Sequence, residues 1–148
     1  MKSLLWVLNG KENEMLEKEA VRALFKNLET GHGDQFFNRV REDVDWTVMG
    51  THPLAGHYLS KADFHSHTFT RLNKVLQDGI LLSVVDIFVD GDVAIVELRA
   101  ISTANNGKPF DNRYCWVCSF DADDMICKVR AYLDSAMVAQ LFEENAEV

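Results

Sequence analysis

A predicted strand at Met125-Ile-Cys-Lys-Val-Arg-Ala-Tyr-Leu-Asp134 ends on an alternation of apolar and polar side chains. Its last three polar residues are Arg130, Tyr132 and Asp134. Residues two apart on a strand lie on the same face, so these three side chains point the same way. Because burying an unpaired charge is costly, their presence on an otherwise apolar strand indicates a specific role. We predict that they project into a ligand pocket.

The chain around this strand divides into a helical half and a β half. Period-two patterns and turn signals predict strands at 80–89, 93–104, 110–120 and 125–134. Helical spacing of apolar residues predicts helices at 13–30, 33–40, 61–76 and 135–144, with one early strand at 43–49. Such segregation predicts an α+β fold in which helices cover one face of a bent antiparallel sheet.

The length of 148 residues fits one domain, which we divide into a leader at 1–12 and a core at 13–143. The other face of the predicted sheet carries apolar residues such as Val96 and Leu98. A large apolar face left in water is unusual for a monomer. We therefore predict a homodimer that forms through the sheet face.

Composition excludes several classes of protein. The net charge is −8, from 15 basic and 23 acidic residues, which argues against a nucleic-acid-binding surface. The apolar run at 4–8 is too short for a signal peptide, and the sequence predicts no membrane-spanning segment. We interpret Cys115, Cys118 and Cys127 as reduced thiols rather than a metal or redox pair, which suits a cytoplasmic protein.

The order of elements resembles the SnoaL-like group of the nuclear transport factor two-like superfamily, which also contains ketosteroid isomerase. The most specific matching stretches are Trp46-Thr-Val-Met-Gly-Thr-His-Pro-Leu-Ala-Gly56, Asn112-Arg-Tyr-Cys-Trp-Val117 and Tyr132-Leu-Asp134. The resemblance covers 13–143 and implies a cone-shaped, cystatin-like fold, in which a curved sheet wraps a long first helix and leaves a deep pocket. The family includes isomerases, cyclases, epoxide hydrolases, dehydratases and non-catalytic modules, so it implies a fold more than a reaction.

The resemblance does not extend to the steroid isomerase mechanism, which uses an Asp base with a Tyr and a protonated Asp as oxyanion donors. The corresponding positions here are Leu24, Thr47 and Trp116. SnoaL-type cyclases are more similar, because they place an acid–base aspartate where Asp134 stands. The epoxide hydrolase branch uses an Asp-Arg-Asp set, of which Asp134 with Arg99 or Arg130 supplies only a part.

The candidate catalytic residues are therefore Asp134 for proton transfer, with Tyr132 and Arg130 stabilising charge. A few convergent polar groups among apolar walls are typical of a small-molecule site. The candidate ligand-binding residues are Trp46, Val48, His52, Tyr58, Glu97, Arg99, Asn112, Tyr114 and Trp116.

Plainer roles compete with each of these hypotheses. Asp134 precedes Ser135 and is suited to cap the last helix. Glu97 and Arg99 fit a cross-strand ion network. The aromatic candidates are of the kind that dominates protein cores.

No metal is predicted, because His65 and His67 are two apart on a helix and point in different directions. The sequence has no dinucleotide fingerprint, phosphate loop or nucleophile elbow, so no cofactor is predicted. Two functions remain open. One is a cofactor-free isomerase, cyclase or dehydratase acting on a small apolar, carbonyl-bearing ligand. The other is a non-catalytic ligand-binding or dimerisation module of the same fold.

Overall fold

The computed structural model describes residues 16–148. The predicted leader at 1–12 and the first residues of the predicted first helix lie outside this range. The helices are α1 (Lys18–Glu29), α2 (Gly33–Phe37), α3 (Lys61–His67), α4 (Phe69–Val75) and α5 (Ser135–Glu144). The strands are β1 (Val40–Val48), β2 (Gly56–Tyr58), β3 (Leu82–Asp90), β4 (Val93–Thr103), β5 (Pro109–Phe120) and β6 (Ile126–Leu133).

All six strands form one sheet in the order β2-β1-β6-β5-β4-β3. The predicted antiparallel meander of β3 to β6 is confirmed. Two features were not predicted: β1 pairs with β6 in parallel, and the short strand β2 adds an edge beyond β1. Register shifts interrupt β3 near Val84 and β5 near Ser119, and such bulges bend a strand. The fold is therefore the expected α+β arrangement with a curved sheet and helices on one face.

The single helix predicted at 61–76 is wrong, because the chain breaks it at Thr68 into α3 and α4. The backbone of Thr68 has φ −125° and ψ −80°, outside helical values, and its hydroxyl donates to the carbonyl oxygen of Phe64 at 2.6 Å. Phe64 on α3 and Phe69 on α4 are 5.9 Å apart between ring centroids. The break thus places aromatic rings from two short helices together over the sheet.

The core lies between the sheet and these helices. On α1 the buried residues are Val21, Phe25 and Leu28. The ring of Phe25 contacts Phe36 at 4.9 Å and Trp116 at 6.0 Å, both edge-on, a favourable geometry for aromatic pairs. Aromatic side chains from the helical half therefore lie against the β half.

Val96 and Leu98 belong to this core, with exposures of 0% and 1%. Their assignment to the solvent-facing side of the sheet is therefore wrong. Along β4 the outward side chains include Glu97, Arg99 and Ile101, since alternate residues take opposite faces. A dimer through the outer face requires other apolar residues than the two that suggested it.

The loop after β1 approaches the start of α5 closely at Gly50. Gly50 has φ +110°, and a Cβ there would lie 1.9 Å from the hydroxyl oxygen of Ser135.

We expect Gly50→Ala to lower the free energy of unfolding by about 3 kcal/mol, through backbone strain and this clash. Gly31→Ala is the matched control, because Gly31 has φ +83° with no atom near its Cβ position. Urea denaturation is expected to give a smaller loss there, about 1 kcal/mol; equal losses would contradict the close approach to Ser135.

Candidate functional site

A narrow apolar cavity of about 40 Å³ lies between the inner face of the sheet and helices α3, α4 and α5. The carboxyl-terminal end of β1, the following loop and the inward residues of β5 and β6 complete its wall. Its lining residues are Trp46, Val48, His52, Leu54, Phe64, Thr68, Phe69, Leu72, Tyr114, Trp116, Ala131, Leu133 and Val138.

Five predicted ligand-binding residues belong to this wall: Trp46, Val48, His52, Tyr114 and Trp116. The contribution of α3 and α4 was not predicted. The signal was present in the sequence, because Phe64, Thr68 and Leu72 recur on one side of the predicted third helix.

The expected position of Arg130, Tyr132 and Asp134 inside the pocket is wrong. The register pairs Tyr132 with Cys115, whereas the cavity residues Tyr114 and Trp116 pair with Leu133 and Ala131. Directly paired residues share a face of the sheet, so Tyr132 lies outside, where its side chain is 42% exposed. Arg130 and Asp134 are exposed as well. The apolar residues of β6 face the core, and the polar ones face water.

Asp134 is the N-cap of α5. Its carboxylate accepts hydrogen bonds from the backbone N–H groups of Ala136 at 3.1 Å and Met137 at 3.3 Å. The capping alternative is therefore confirmed. A carboxylate held in this way, outside the cavity, is not placed to exchange a proton with a ligand inside it.

Glu97 and Arg99 also lie on the outer face. Arg99 donates two hydrogen bonds to Asp111, at 2.8 and 2.7 Å, and Arg113 donates a third at 2.8 Å. The Arg99 hydrogen bond is the main cause that lowers the pKa of Asp111 to about 2. The ion-network alternative is right for Arg99, with Asp111 rather than Glu97 as its partner.

Trp46 forms the floor of the cavity and is fully buried. Its ring stacks on Phe64 with centroids 3.8 Å apart and meets Trp116 edge-on at 5.2 Å. Within residues 16–148, its indole N–H has no hydrogen-bond acceptor. An unpaired buried donor is uncommon in native structures, and it calls for an explanation.

Tyr114 supplies a second polar group on the same wall. Burial raises the pKa of its phenol, and the neighbouring Asn112 side chain partly opposes this effect. The phenol is therefore protonated at neutral pH and acts as a hydrogen-bond donor. Asn112 is itself fully buried and does not line the cavity.

The side chains of His52 and Tyr58 form hydrogen bonds with backbone groups of the loop between β1 and β2. The His52 ring lies 2.9 Å from the carbonyl oxygen of Met49 through Nε2, and its Nδ1 accepts from the backbone N–H of Leu54 at 3.1 Å. The Tyr58 hydroxyl donates to the carbonyl of Leu54 at 2.8 Å. Tyr58 does not line the cavity, so its predicted position there is wrong.

The loop and the helices around the cavity are joined by Arg71 on α4. Its guanidinium donates to the carbonyl of Pro53 at 3.1 Å and to both carboxylate oxygens of Glu147, at 3.1 and 2.9 Å. It also lies 5.1 Å from the ring centre of Phe142. One side chain thus connects α4, the loop after β1 and the end of the described chain.

The lining residues therefore offer hydrogen-bond donors and no carboxylate. The arrangement is suited to hold a neutral ligand oxygen in an apolar surrounding. Among residues 16–148, no group of three or more His, Cys, Asp or Glu side chains is placed to hold a metal ion. In that same part of the chain, no helix is long and apolar enough to cross a membrane.

A curved sheet that encloses a cavity against helices defines an α+β protein of the nuclear transport factor two-like class. A solved NTF2-like protein from Burkholderia thailandensis has this fold, with 25% identity and a TM-score of 0.72, over 83% of this chain and 94% of that one. The model of the SnoaL-like domain matches residues 21–129. The chain belongs to the SnoaL-like family.

Two curated relatives are fungal. The dimerizing cyclase phiC of Fungal sp. (strain ATCC 74256) is 30% identical over 125 residues, which are 82% of this chain and 55% of that protein. The dimerizing cyclase tstC of Talaromyces stipitatus is 27% identical over 112 residues, 74% of this chain and 50% of that protein. The chain spans about half the length of the curated relatives it matches.

We expect the role of Asp134 to be visible in stability rather than in ligand affinity. Asp134→Ala removes the cap and is expected to lower the free energy of unfolding by about 1 kcal/mol, measured by chemical denaturation. Asp134→Asn keeps a side-chain oxygen and is expected to cost only a few tenths of that. If the Asp134→Asn protein is stable but no longer binds ligand, Asp134 contributes to ligand binding and the role as a cap alone is wrong.

Proposed function

We propose that this SnoaL-like domain binds a small, largely apolar molecule through a carbonyl or hydroxyl oxygen inside the cone. The observation that carries the proposal is the indole N–H of Trp46, which is fully buried and has no acceptor within residues 16–148. The Tyr114 phenol shares the cavity wall with it. Both groups are neutral donors, so they select an oxygen acceptor without demanding a charged ligand.

We further propose that binding polarises the ligand. Donors fixed in an apolar site stabilise negative charge that develops on an oxygen, and this effect accelerates isomerisation, cyclisation and dehydration. Trp46 and Tyr114 would supply this stabilisation without a cofactor. The relatives phiC and tstC are named as cyclases, which supports a reaction of this kind.

An enzymatic role also needs a residue that accepts a proton from the ligand. His52 is the lining residue with basic character, and both of its ring nitrogens lie within hydrogen-bonding distance of its own loop. It gains a free nitrogen only when one of these contacts opens. A binding module without turnover is the alternative, and it needs the same donors.

The cavity must widen for either role. Its volume is about 40 Å³, whereas ligand sites in proteins measure roughly 300 Å³ or more. The cavity is bounded by short helices and a loop, elements that move more readily than the sheet. We infer that the ligand enters by displacing them.

A matched pair of probes tests the donor role of Trp46. Acetophenone and α-methylstyrene have nearly the same shape, but only the ketone accepts a hydrogen bond. We expect the protein to favour the ketone over the hydrocarbon, and Trp46→Phe to reduce this preference about fivefold, the equivalent of one hydrogen bond. Isothermal titration calorimetry gives both affinities, and the indole N–H resonance of Trp46 is expected to shift with the ketone alone.

Tyr114→Phe is the companion variant and is expected to weaken the same preference. Tyr132→Phe is its control, because Tyr132 lies on the outer face. Equal preference for the ketone in the native protein and in Trp46→Phe would refute the proposed role of the indole.

We also propose a homodimer that forms through the outer face of the sheet. This face exposes large apolar side chains, since Val85 is 57%, Phe88 52% and Ile101 69% exposed. Arginines and acids lie among them, which suits a contact between two copies with complementary charges. We propose a cytoplasmic location as well, and the free thiols of Cys115, Cys118 and Cys127 support it.

Sedimentation velocity tests this dimer. We expect Phe88→Asp to shift the native protein from dimer to monomer, because it buries a charge in the contact. Leu59→Asp is the control, since Leu59 is 64% exposed and follows the edge strand β2. A native protein that sediments as a monomer would overturn the proposal.

A further inference from the structure

Asn112 carries a second buried donor. The residue is fully buried, and its side-chain oxygen accepts the backbone N–H of Arg113 at 2.8 Å. That bond fixes which end of the amide is the oxygen, so the nitrogen is the free end. Within residues 16–148 the amide nitrogen meets no acceptor at full hydrogen-bond geometry, although it lies close enough to the Tyr114 phenol to oppose the rise in the pKa of that group.

The position of Asn112 on β5 links two cavities. Residues 110, 112 and 114 point to the same inner face of the strand. Tyr114 lines the cavity around Trp46, whereas Phe110 lines a second cavity of about 150 Å³. Asn112 lies between these two residues and lines neither space.

Helix α5 is the partition between the two cavities. Its residue Val138 lines the cavity around Trp46, and Met137 and Leu141 line the second cavity. Hydrogen bonds hold the helix at its two ends, through the Asp134 cap and through Asn145, whose side-chain oxygen accepts from the backbone N–H of Asn106 at 2.8 Å. Between these ends α5 packs through apolar side chains. An outward shift of its C-terminal end breaks the contacts with Asn106 and Lys108, whereas the Asp134 cap at its start stays in place.

We propose that the two cavities are the ends of one elongated ligand site, which joins at Asn112 when α5 shifts outward. The amide of Asn112 then donates to a second oxygen of the ligand. This inference rests on the proposed function, since Trp46 and Tyr114 hold the first oxygen.

The chemistry of the wall defines the ligand class. Neither Asn112 nor the cavity around Trp46 presents a charged group, so the ligand is neutral at both oxygens. In the second cavity the charged groups Lys108 and Glu144 pair with each other at 3.0 Å. A largely apolar molecule with two carbonyl or hydroxyl oxygens, separated by an apolar spacer, fits these walls.

The experiment compares hexanophenone with 1-phenyl-1,5-hexanedione, which differs by a second carbonyl in its chain. Affinities are measured by calorimetry in the native protein and in Asn112→Leu, which keeps the branched shape of the side chain and replaces its amide nitrogen and oxygen by methyl groups. The ratio of dione to ketone affinity is expected to fall about fivefold in the variant. Arg113→Leu, at the next position and on the opposite face, is expected to leave this ratio unchanged.

A second measurement does not depend on the variant's folding. In ¹⁵N-labelled native protein, the side-chain amide of Asn112 is expected to shift with the dione and not with hexanophenone. Backbone amides of α5 are expected to shift with both. An unchanged affinity ratio, or an Asn112 amide that ignores the dione, would overturn the joined site. The two tests can be told apart. If Trp46→Phe still loses the preference for acetophenone over α-methylstyrene while the Asn112 measurements show no effect, the proposed function stands and only this inference fails.

Discussion

The pleat of the sheet directs each side chain to one of two faces. Residues that are paired in the hydrogen-bonded register point to the same face, so the strands share one alternation. One row runs from Ala94 through Cys118 and Val129 to Trp46, and all four side chains are fully buried. A slip of one residue in any pair would turn such a row outward and expose the core. The cavity, its two donors and the outer ion network all follow from this registration.

Much of the fold was predictable because its signals are local. Alternating residues and turn signals identify the meander, and the N-cap at Asp134 identifies the start of α5. The parallel pairing of β1 with β6 has no local signal, since its partners are distant in sequence. The break at Thr68 was hidden for a different reason: the apolar spacing of Phe64 and Leu72 continues across it as if the helix were whole.

The site was half predictable. Trp46, Tyr114 and Trp116 lie on the cavity wall as expected, because large aromatic residues on inward positions define the interior. The polar residues of β6 were expected there because they looked anomalous on an apolar strand. The simpler rule holds: Val129 and Ala131 are buried, whereas Lys128 and Arg130, which alternate with them, face water.

The parallel pairing of β1 with β6 also constrains the order of events during synthesis. Val48 of β1 pairs with Ala131 of β6, so β1 gains β6 as its neighbour only after nearly the whole domain has been synthesised. Until then its one partner in the sheet is the short strand β2, and an apolar edge stays open. Contacts of such large sequence separation slow folding. An unpaired apolar strand edge is prone to associate with other chains, and pairing with β6 removes this edge.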